Sequence, residues 1–87
     1  MVNWKVEAMA LLRLFASARE AAGVGTTKVD GDTVAQVLEA AVSRFGADFE
    51  AILETCQVWC NGEPTQLHQE ISAEDEIAIL PPISGGA

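Results

Sequence analysis

One segment of the chain has the hydrophobic period of an α-helix, and its boundaries are marked at both ends. From Val34 to Phe45 the apolar residues recur every three or four positions, which places them on one helix face. Thr33 and Gln36 form a capping-box pattern at its start, and Gly46 stands where a left-handed C-cap belongs. A chain of 87 residues has room for one modest core. The segment therefore predicts a single long helix over one face of a sheet.

Short segments with strand character lie on both sides of this helix. The first two are close enough in sequence to form a hairpin. Asn61-Gly62 is a strong hairpin signal between two later segments, although Pro64 is typical of an edge strand. Strands are expected at residues 10–16, 26–29, 57–60, 63–67 and 76–80, and shorter helical segments at 17–22 and 48–54.

The order β-β-α-β-β-β, with the last strand central, is that of the ubiquitin-like β-grasp fold. We therefore predict an α+β domain with a mixed sheet of about five strands and one main helix. This domain is expected over residues 10–80, with residues 1–9 as an N-terminal extension or the start of the first strand. Residues 81–87 are expected to form a flexible tail that ends Gly85-Gly86-Ala87.

The charge is unevenly distributed along the chain. Residues 45–87 contain no Lys or Arg and carry the whole formal net charge of −8. Such an acidic half argues against nucleic acid or an anionic membrane as partner and suggests a basic protein, although a merely solvated surface is the simpler explanation of the charge taken alone. No apolar run approaches the roughly 20 residues of a membrane span, and the N-terminal segment is a poor signal peptide. We therefore expect a cytoplasmic protein.

The sequence contains no recognisable active site of its own. It lacks a phosphate-binding loop, and its single histidine, His68, has no nucleophile or carboxylate at a motif spacing. Cys56 and Cys60 have only His68 nearby as a further ligand, so we expect no metal and no bound cofactor. This pattern favours a carrier or binding module, and whether the chain counts as an enzyme stays open.

The segment DEIAILPPISGG, residues 75–86, resembles the C-terminus of the small subunit of molybdopterin synthase, a family of ubiquitin-like sulfur carriers. Two further segments are similar to the same family. LLRLFASARE at residues 11–20 resembles its first strand and the turn that follows, and VWCNGE at 58–63 resembles its hairpin. The resemblance covers residues 10–86.

The resemblance implies a chemistry located at the tail. A ubiquitin-activating-like adenylyltransferase would use ATP to adenylate the carboxylate of Gly86, and sulfur would then replace AMP to give a thiocarboxylate. The large subunit of molybdopterin synthase would take up the tail within a heterotetramer and transfer the sulfur to the pterin precursor. This chain would be the non-catalytic, sulfur-donating subunit. Gly85 and Gly86 lack side chains that would obstruct a narrow channel.

Docking of these partners would involve residues around the root of the tail. Phe15 and Leu80 are the candidates for an apolar patch, although either of them could simply belong to the core. Arg19 could pair with a partner carboxylate, or it could be an ordinary surface residue. In the tail itself, Pro81 and Pro82 stiffen the exit, and Ile83 and Ser84 are expected to contact the partner.

One residue departs from the family pattern, because the sequence ends in Ala87 and not in Gly86. A processing protease could remove Ala87, the residue could be foreign to the natural protein, or the carrier could be blocked. Three other functions stay open beside the leading one. They are sulfur carriage for another thio-compound, ubiquitin-like modification of lysines through Gly86, and a β-grasp interaction domain in which the Gly-Gly pair is accidental.

Overall fold

The computed structural model describes residues 9–82, and residues 1–8 and 83–87 lie outside that range. The described part consists of five strands and three helices. In chain order these are β1 (Met9–Leu14), α1 (Ala16–Ala22), β2 (Thr26–Asp30), α2 (Val34–Phe45), α3 (Ala47–Leu53), β3 (Gln57–Cys60), β4 (Glu63–Pro64) and β5 (Glu76–Leu80).

The five strands form one mixed sheet with the spatial order β2-β1-β5-β3-β4. The last strand of the chain is central, since β5 runs parallel to β1 on one side and antiparallel to β3 on the other. The outer strands β2 and β4 pair antiparallel with β1 and β3. The predicted β-grasp fold, with one main helix and a mixed sheet, is therefore confirmed.

Helix α2 has the predicted bounds because both of its ends are specified locally. The Thr33 hydroxyl accepts from the N–H of Gln36 at 3.2 Å. The Gln36 side chain reaches back and accepts from the N–H of Asp32 at 2.7 Å. At the other end Gly46 has a φ of +98°, which favours glycine, and its N–H donates to the carbonyl of Val42. The same glycine begins α3.

The core lies between the sheet and the three helices. Alternate residues of β1 and β5 face the helices, and Leu12, Ile77 and Ile79 are fully buried there. From the helices, Val37 and Phe49 are fully buried against them. Full burial of a large apolar side chain contributes about 1.5–3 kcal/mol. The remaining buried apolar residues are Ala10, Leu14, Ala18, Val29, Val34, Leu38, Ala41 and Cys60.

The second hairpin is shorter than the sequence predicted. Strand β4 contains only Glu63 and Pro64, and the N–H of Thr65 makes one further bond to β3, at the carbonyl of Val58, whereas a strand was expected as far as residue 67. Beyond Pro64 the chain crosses to the start of α2, where the N–H of Val34 donates to the carbonyl of Gln69. The first N–H groups of a helix have no acceptor within the helix, and this loop supplies carbonyl groups that accept from them. In a longer strand β4 the same carbonyl groups would be directed to the sheet.

None of the helices within residues 9–82 is both long enough and apolar enough to cross a membrane.

Candidate functional site

The tail leaves the domain at one end of the two central strands, and Leu80 and Pro81 are called the tail root below. Because β1 and β5 are parallel, Leu14 lies opposite Ile79, and β5 ends at Leu80, one residue further on. Pro81 and Pro82 follow, and neither has an N–H to donate, so pairing stops there. The predicted site residues Ile83, Ser84, Gly85 and Gly86 lie outside the described residues, as does Ala87.

Leu80 belongs to the sheet face that points away from the helices. Its neighbour Ile79 is fully buried toward them, and successive strand residues point to opposite faces. Leu80 is half-buried opposite Gln57, and Ala78 is half-buried between its strand partners Arg13 and Trp59. The surface formed by Leu11, Arg13, Trp59, Pro64, Glu76, Ala78 and Leu80 is called the open face below.

The open face combines a partly exposed apolar centre with charges. Arg13 and Glu76 form an ion pair between β1 and β5, with Nε and Oε2 3.3 Å apart. Their side chains are 49% and 41% exposed, so the pair contributes at most about 1 kcal/mol to stability. The Trp59 indole N–H donates to Oε1 of Gln57 at 3.1 Å, which orients the ring. An apolar centre with a polar, solvent-accessible rim is typical of a surface that binds another protein.

Phe15 lies beside the tail root and outside the core. It follows β1 directly, one position beyond the Leu14–Ile79 pair, and it is 41% exposed. The backbone fixes its position, because the carbonyl of Phe15 accepts from the N–H groups of Ala18 and Arg19 at the start of α1. Ala16, the next residue, has a φ of +51°, a conformation that costs an alanine about 1–2 kcal/mol. The turn therefore keeps Phe15 exposed to solvent, and the backbone of Ala16 is strained as a result.

Arg19 packs against the backbone at Gly25, at the same corner of the domain as Phe15. A Cβ at Gly25 would stand 3.3 Å from Nε of Arg19 and 3.5 Å from its Cζ, so the guanidinium packs directly across that backbone. Arg19, Arg13, Phe15 and Val24 line a common hollow at this corner, and Val24 is 40% exposed. The corner therefore offers two cations and two apolar side chains within reach of the tail root.

The structure brings together most of the predicted docking residues that it describes. Phe15, Arg19, Leu80 and Pro81 all lie at the end of the sheet where the tail leaves, and their role as partner contacts stays a prediction. Sequence reasoning missed Leu11, Ala78 and Val24. Leu11 and Ala78 could have been found from strand alternation, since each is the neighbour of a core position. Val24 had no such signal, because it lies in a turn.

A hydrogen-bonded network fixes the other end of β5. Asn61 donates to one carboxylate oxygen of Asp75 at 2.9 Å, and the N–H of Ser72 donates to the other at 2.8 Å. Asn61 also accepts from the N–H of Glu76 at 2.9 Å. The bond from Asn61, followed by those from Ser72, holds the pKa of Asp75 below its usual value. The turn between β3 and β4 is thereby joined to the start of the strand that carries the tail.

The two cysteines are free, and the pKa of each thiol is raised. Burial raises the pKa of the Cys56 thiol, although a hydrogen bond with Thr55 opposes that shift. Burial also raises the pKa of Cys60, and the negative charge of Asp75 adds to the effect. Thiols with raised pKa values stay protonated near neutral pH. Within the described residues, no group of three or more His, Cys, Asp or Glu side chains is placed to hold a metal ion.

Comparison with known protein families assigns the chain to one of them. The ThiS family matches residues 12–86, which is most of the chain and includes the open face except Leu11 and the tail as far as Gly86. The chain belongs to the ThiS family. This is a family of ubiquitin-like sulfur carriers, in agreement with the expectation from residues 75–86.

Two small archaeal modifier proteins are similar to this chain over nearly their whole length. The small archaeal modifier protein 1 of Haloferax volcanii is 38% identical over 84 residues, which cover 85% of this chain and 97% of that protein. Its crystal structure superposes with a TM-score of 0.81 at 34% identity, covering 90% and 99% of the two chains. The solution structure of the Methanosarcina acetivorans protein of the same name gives 0.80 at 30% identity, covering 92% and 98%.

A more distant structure shares the fold. It is a protein–protein complex of subunits 1 and 2 of the molybdopterin-converting factor from Helicobacter pylori, with a TM-score of 0.68 at 22% identity. The alignment covers 90% of this chain and 99% of that one. At this identity the likeness establishes a common fold.

Proposed function

We propose that this protein carries sulfur as a thiocarboxylate at Gly86 and donates it within molybdopterin synthase, as the small subunit of that enzyme. The observation that carries the proposal is the position of the tail root. Leu80 and Pro81 leave the sheet beside Phe15 and Arg19 and next to the open face, and the Gly85-Gly86 pair follows a few residues later. A partner that docks on this corner therefore receives the tail.

The chemistry explains why a partner is needed. A terminal α-carboxylate has a pKa of about 3.5, so it is an anion at neutral pH and a poor electrophile. In the proposed cycle the Gly86 carboxylate attacks ATP on an activating enzyme and forms an acyl-adenylate, with pyrophosphate leaving. Hydrosulfide then displaces AMP from the acyl-adenylate, which leaves the thiocarboxylate and releases a proton. Transfer of that sulfur to the pterin precursor, with water as the source of oxygen, regenerates the carboxylate.

The domain contributes docking and positioning to this cycle. Six residues follow Leu80 up to and including Gly86, and an extended chain of that length spans at most about 20 Å. The tail could therefore reach a neighbour's active site while the folded domain stays outside. The open face would supply apolar contact, and Arg19 would pair with an acidic group beside the entrance. Removal of Ala87 by a protease precedes activation in this proposal.

The test is an intact mass of the untagged protein purified from its own cells. We expect a chain that ends at Gly86, with a fraction heavier by the difference between sulfur and oxygen. A population that consists only of molecules ending at Ala87 with a plain carboxylate would contradict the proposed carrier. Co-purification of the large synthase subunit tests the specific pathway, and thiocarboxylate without such a complex would assign the sulfur to another product.

A second function is favoured by the name of one relative. The Haloferax volcanii protein that is 38% identical is a small archaeal modifier protein, which suggests that Gly86 could also be joined to lysines of other proteins. This function predicts a ladder of higher-mass conjugates that disappears when Gly85 and Gly86 are deleted. A ladder that persists after the deletion would exclude attachment through Gly86.

A further inference from the structure

The helix layer contains an apolar groove that the proposed sulfur chemistry does not use. It lies between α2, α3 and the loop that precedes β5, and its volume is about 360 Å³. Leu38 forms its buried floor, and Val42 and Leu53 are half-buried along its walls. Leu67 closes one end and is 59% exposed, the highest exposure among the large apolar residues described. A partner that covers the groove would therefore bury more apolar surface at Leu67 than at the other apolar residues of the groove.

The exposure of Leu67 is fixed by the backbone. The carbonyl of Leu67 accepts from the N–H of Ala35 at 2.9 Å, and the carbonyl of Gln69 accepts from the N–H of Val34 at 3.0 Å. Both donors belong to the first turn of α2, where N–H groups have no acceptor within the helix. These two hydrogen bonds hold the loop to the helix, and they also satisfy N–H groups at the start of the helix. Leu67 is therefore presented at a defined position on the rim of the groove.

Three carboxylates surround the apolar surface. Glu39 projects from α2, and Glu50 and Glu54 come from α3 and its end. Within residues 9–82 none of the three forms a salt bridge. The cation nearest in sequence, Arg44, instead donates to Oγ1 of Thr27 at 2.9 Å and to the carbonyl of Lys28 at 3.2 Å. The rim therefore has a concentrated negative charge that a cationic partner would neutralise.

We propose that this groove binds a basic amphipathic helix of a partner protein. A groove between two helices accepts leucine-like side chains spaced at i, i+3 or i+4 and i+7, and lysines or arginines beside them would meet the three glutamates. A second copy of this chain is disfavoured as occupant, because each copy has a net charge of −8.

The groove lies on the helix side of the sheet, away from the open face, and its Leu67 end is remote from the tail root along the sheet. Strand β2 runs antiparallel to β1, so Asp30 lies beside Met9, at the end opposite Leu14. Helix α2 begins just after that end, and Leu67 is bonded to its first turn. A helix in the groove could therefore bind while the tail is engaged elsewhere. This inference goes beyond sulfur carriage and stands whether or not that proposal holds.

The experiment uses a fluorescein-labelled synthetic peptide of about four helical turns, roughly 15 residues. Leucines occupy one face and lysines flank them. We expect saturable binding to the full chain by fluorescence anisotropy, weakened by added salt, with amide shifts in NMR spectra centred on Leu67 and on the facing turns of α2 and α3. A peptide with every lysine replaced by glutamate, and one with the leucines scrambled around the helix, are the probe controls.

Two variants of the protein test the groove. Leu67→Ser should weaken binding about tenfold, as expected for loss of most of the buried area of a leucine. The double variant Glu50→Gln/Glu54→Gln should weaken it about fivefold and reduce its salt dependence. The matched control Glu63→Gln/Glu74→Gln removes the same charge from exposed positions outside the groove and should leave affinity within about twofold.

Several outcomes would overturn the proposal. They are equal binding of the acidic peptide, amide shifts centred on Trp59 and Ala78, or equal effects of the two double variants. Concentration-dependent shifts of the groove residues without peptide would show that a second copy is the occupant. Since Leu67 is exposed, Leu67→Ser should fold, and the glutamine variants keep the test valid if it does not.

Discussion

At the scale of single residues, Asp75 makes the stability of the domain depend on pH. Its pKa is lowered in the folded state, chiefly by the hydrogen bond from Asn61 and then by those from Ser72. In the unfolded chain an aspartate has a pKa of about 3.9. The stabilisation from the charged form is therefore fully present above about pH 5 and is lost as the pH falls through the lower, folded-state pKa.

Replacement of this carboxylate should remove that dependence. We expect Asp75→Asn to lower the free energy of unfolding at neutral pH by about 1 kcal/mol, the scale of a charge-assisted hydrogen bond at the surface. The difference from the parent should shrink as the pH falls below about 4. Urea unfolding at several pH values measures it. Glu74→Gln is the control, and an equal effect of that variant would show that the network around Asp75 is unimportant.

The strained turn at Ala16 gives a second prediction at this scale. Its φ of +51° suits glycine, so Ala16→Gly should raise the stability of the domain by about 0.5–1 kcal/mol. Ala18 is fully buried on the same short helix, and Ala18→Gly should lower stability by about 1 kcal/mol or more. Midpoints of urea unfolding compare the two. If both glycines destabilise equally, the turn stores no strain.

At the scale of secondary-structure elements, the sequence predicts best what is specified locally. The bounds of α2 were correct because Thr33, Gln36 and Gly46 mark its ends through contacts with near neighbours. The second hairpin was predicted too long because the carbonyl of Leu67 accepts from the first turn of α2. No residue near position 67 signals this hydrogen bond in the sequence. The open face required knowledge of which strands are neighbours, so Ala78 could be placed beside Trp59 only once the topology was known.

The cap of α2 provides the test at this scale. Loss of the Thr33 hydroxyl in Thr33→Ala leaves the N–H of Gln36 without its acceptor and should cost about 1 kcal/mol in the free energy of unfolding. Thr33→Ser keeps the hydroxyl and should cost much less. Chemical denaturation of both variants distinguishes them. Equal losses would mean that the threonine methyl group, and not the cap, stabilises this position.

At the scale of the whole molecule, the fold separates two exposed apolar side chains that serve different partners in our proposals. Phe15 lies where the tail leaves, and Leu67 lies at the groove near the other end of the sheet, so serine at each position makes a matched pair of variants. Phe15→Ser should slow adenylation of the tail by the activating enzyme about tenfold, as expected for an anchor residue of an interface, and leave peptide binding unchanged.

Leu67→Ser should have the reverse pattern, with weaker peptide binding and an unchanged rate of adenylation. Both residues are exposed, so neither variant should lower the thermal midpoint of unfolding appreciably. Exchange of radiolabelled pyrophosphate into ATP measures the first activity, and fluorescence anisotropy measures the second. If either variant impaired both activities while staying folded, the two surfaces would be one site or would be coupled through the core between them. If the predicted patterns appear, one β-grasp domain can bind a basic helix while its tail is being activated elsewhere.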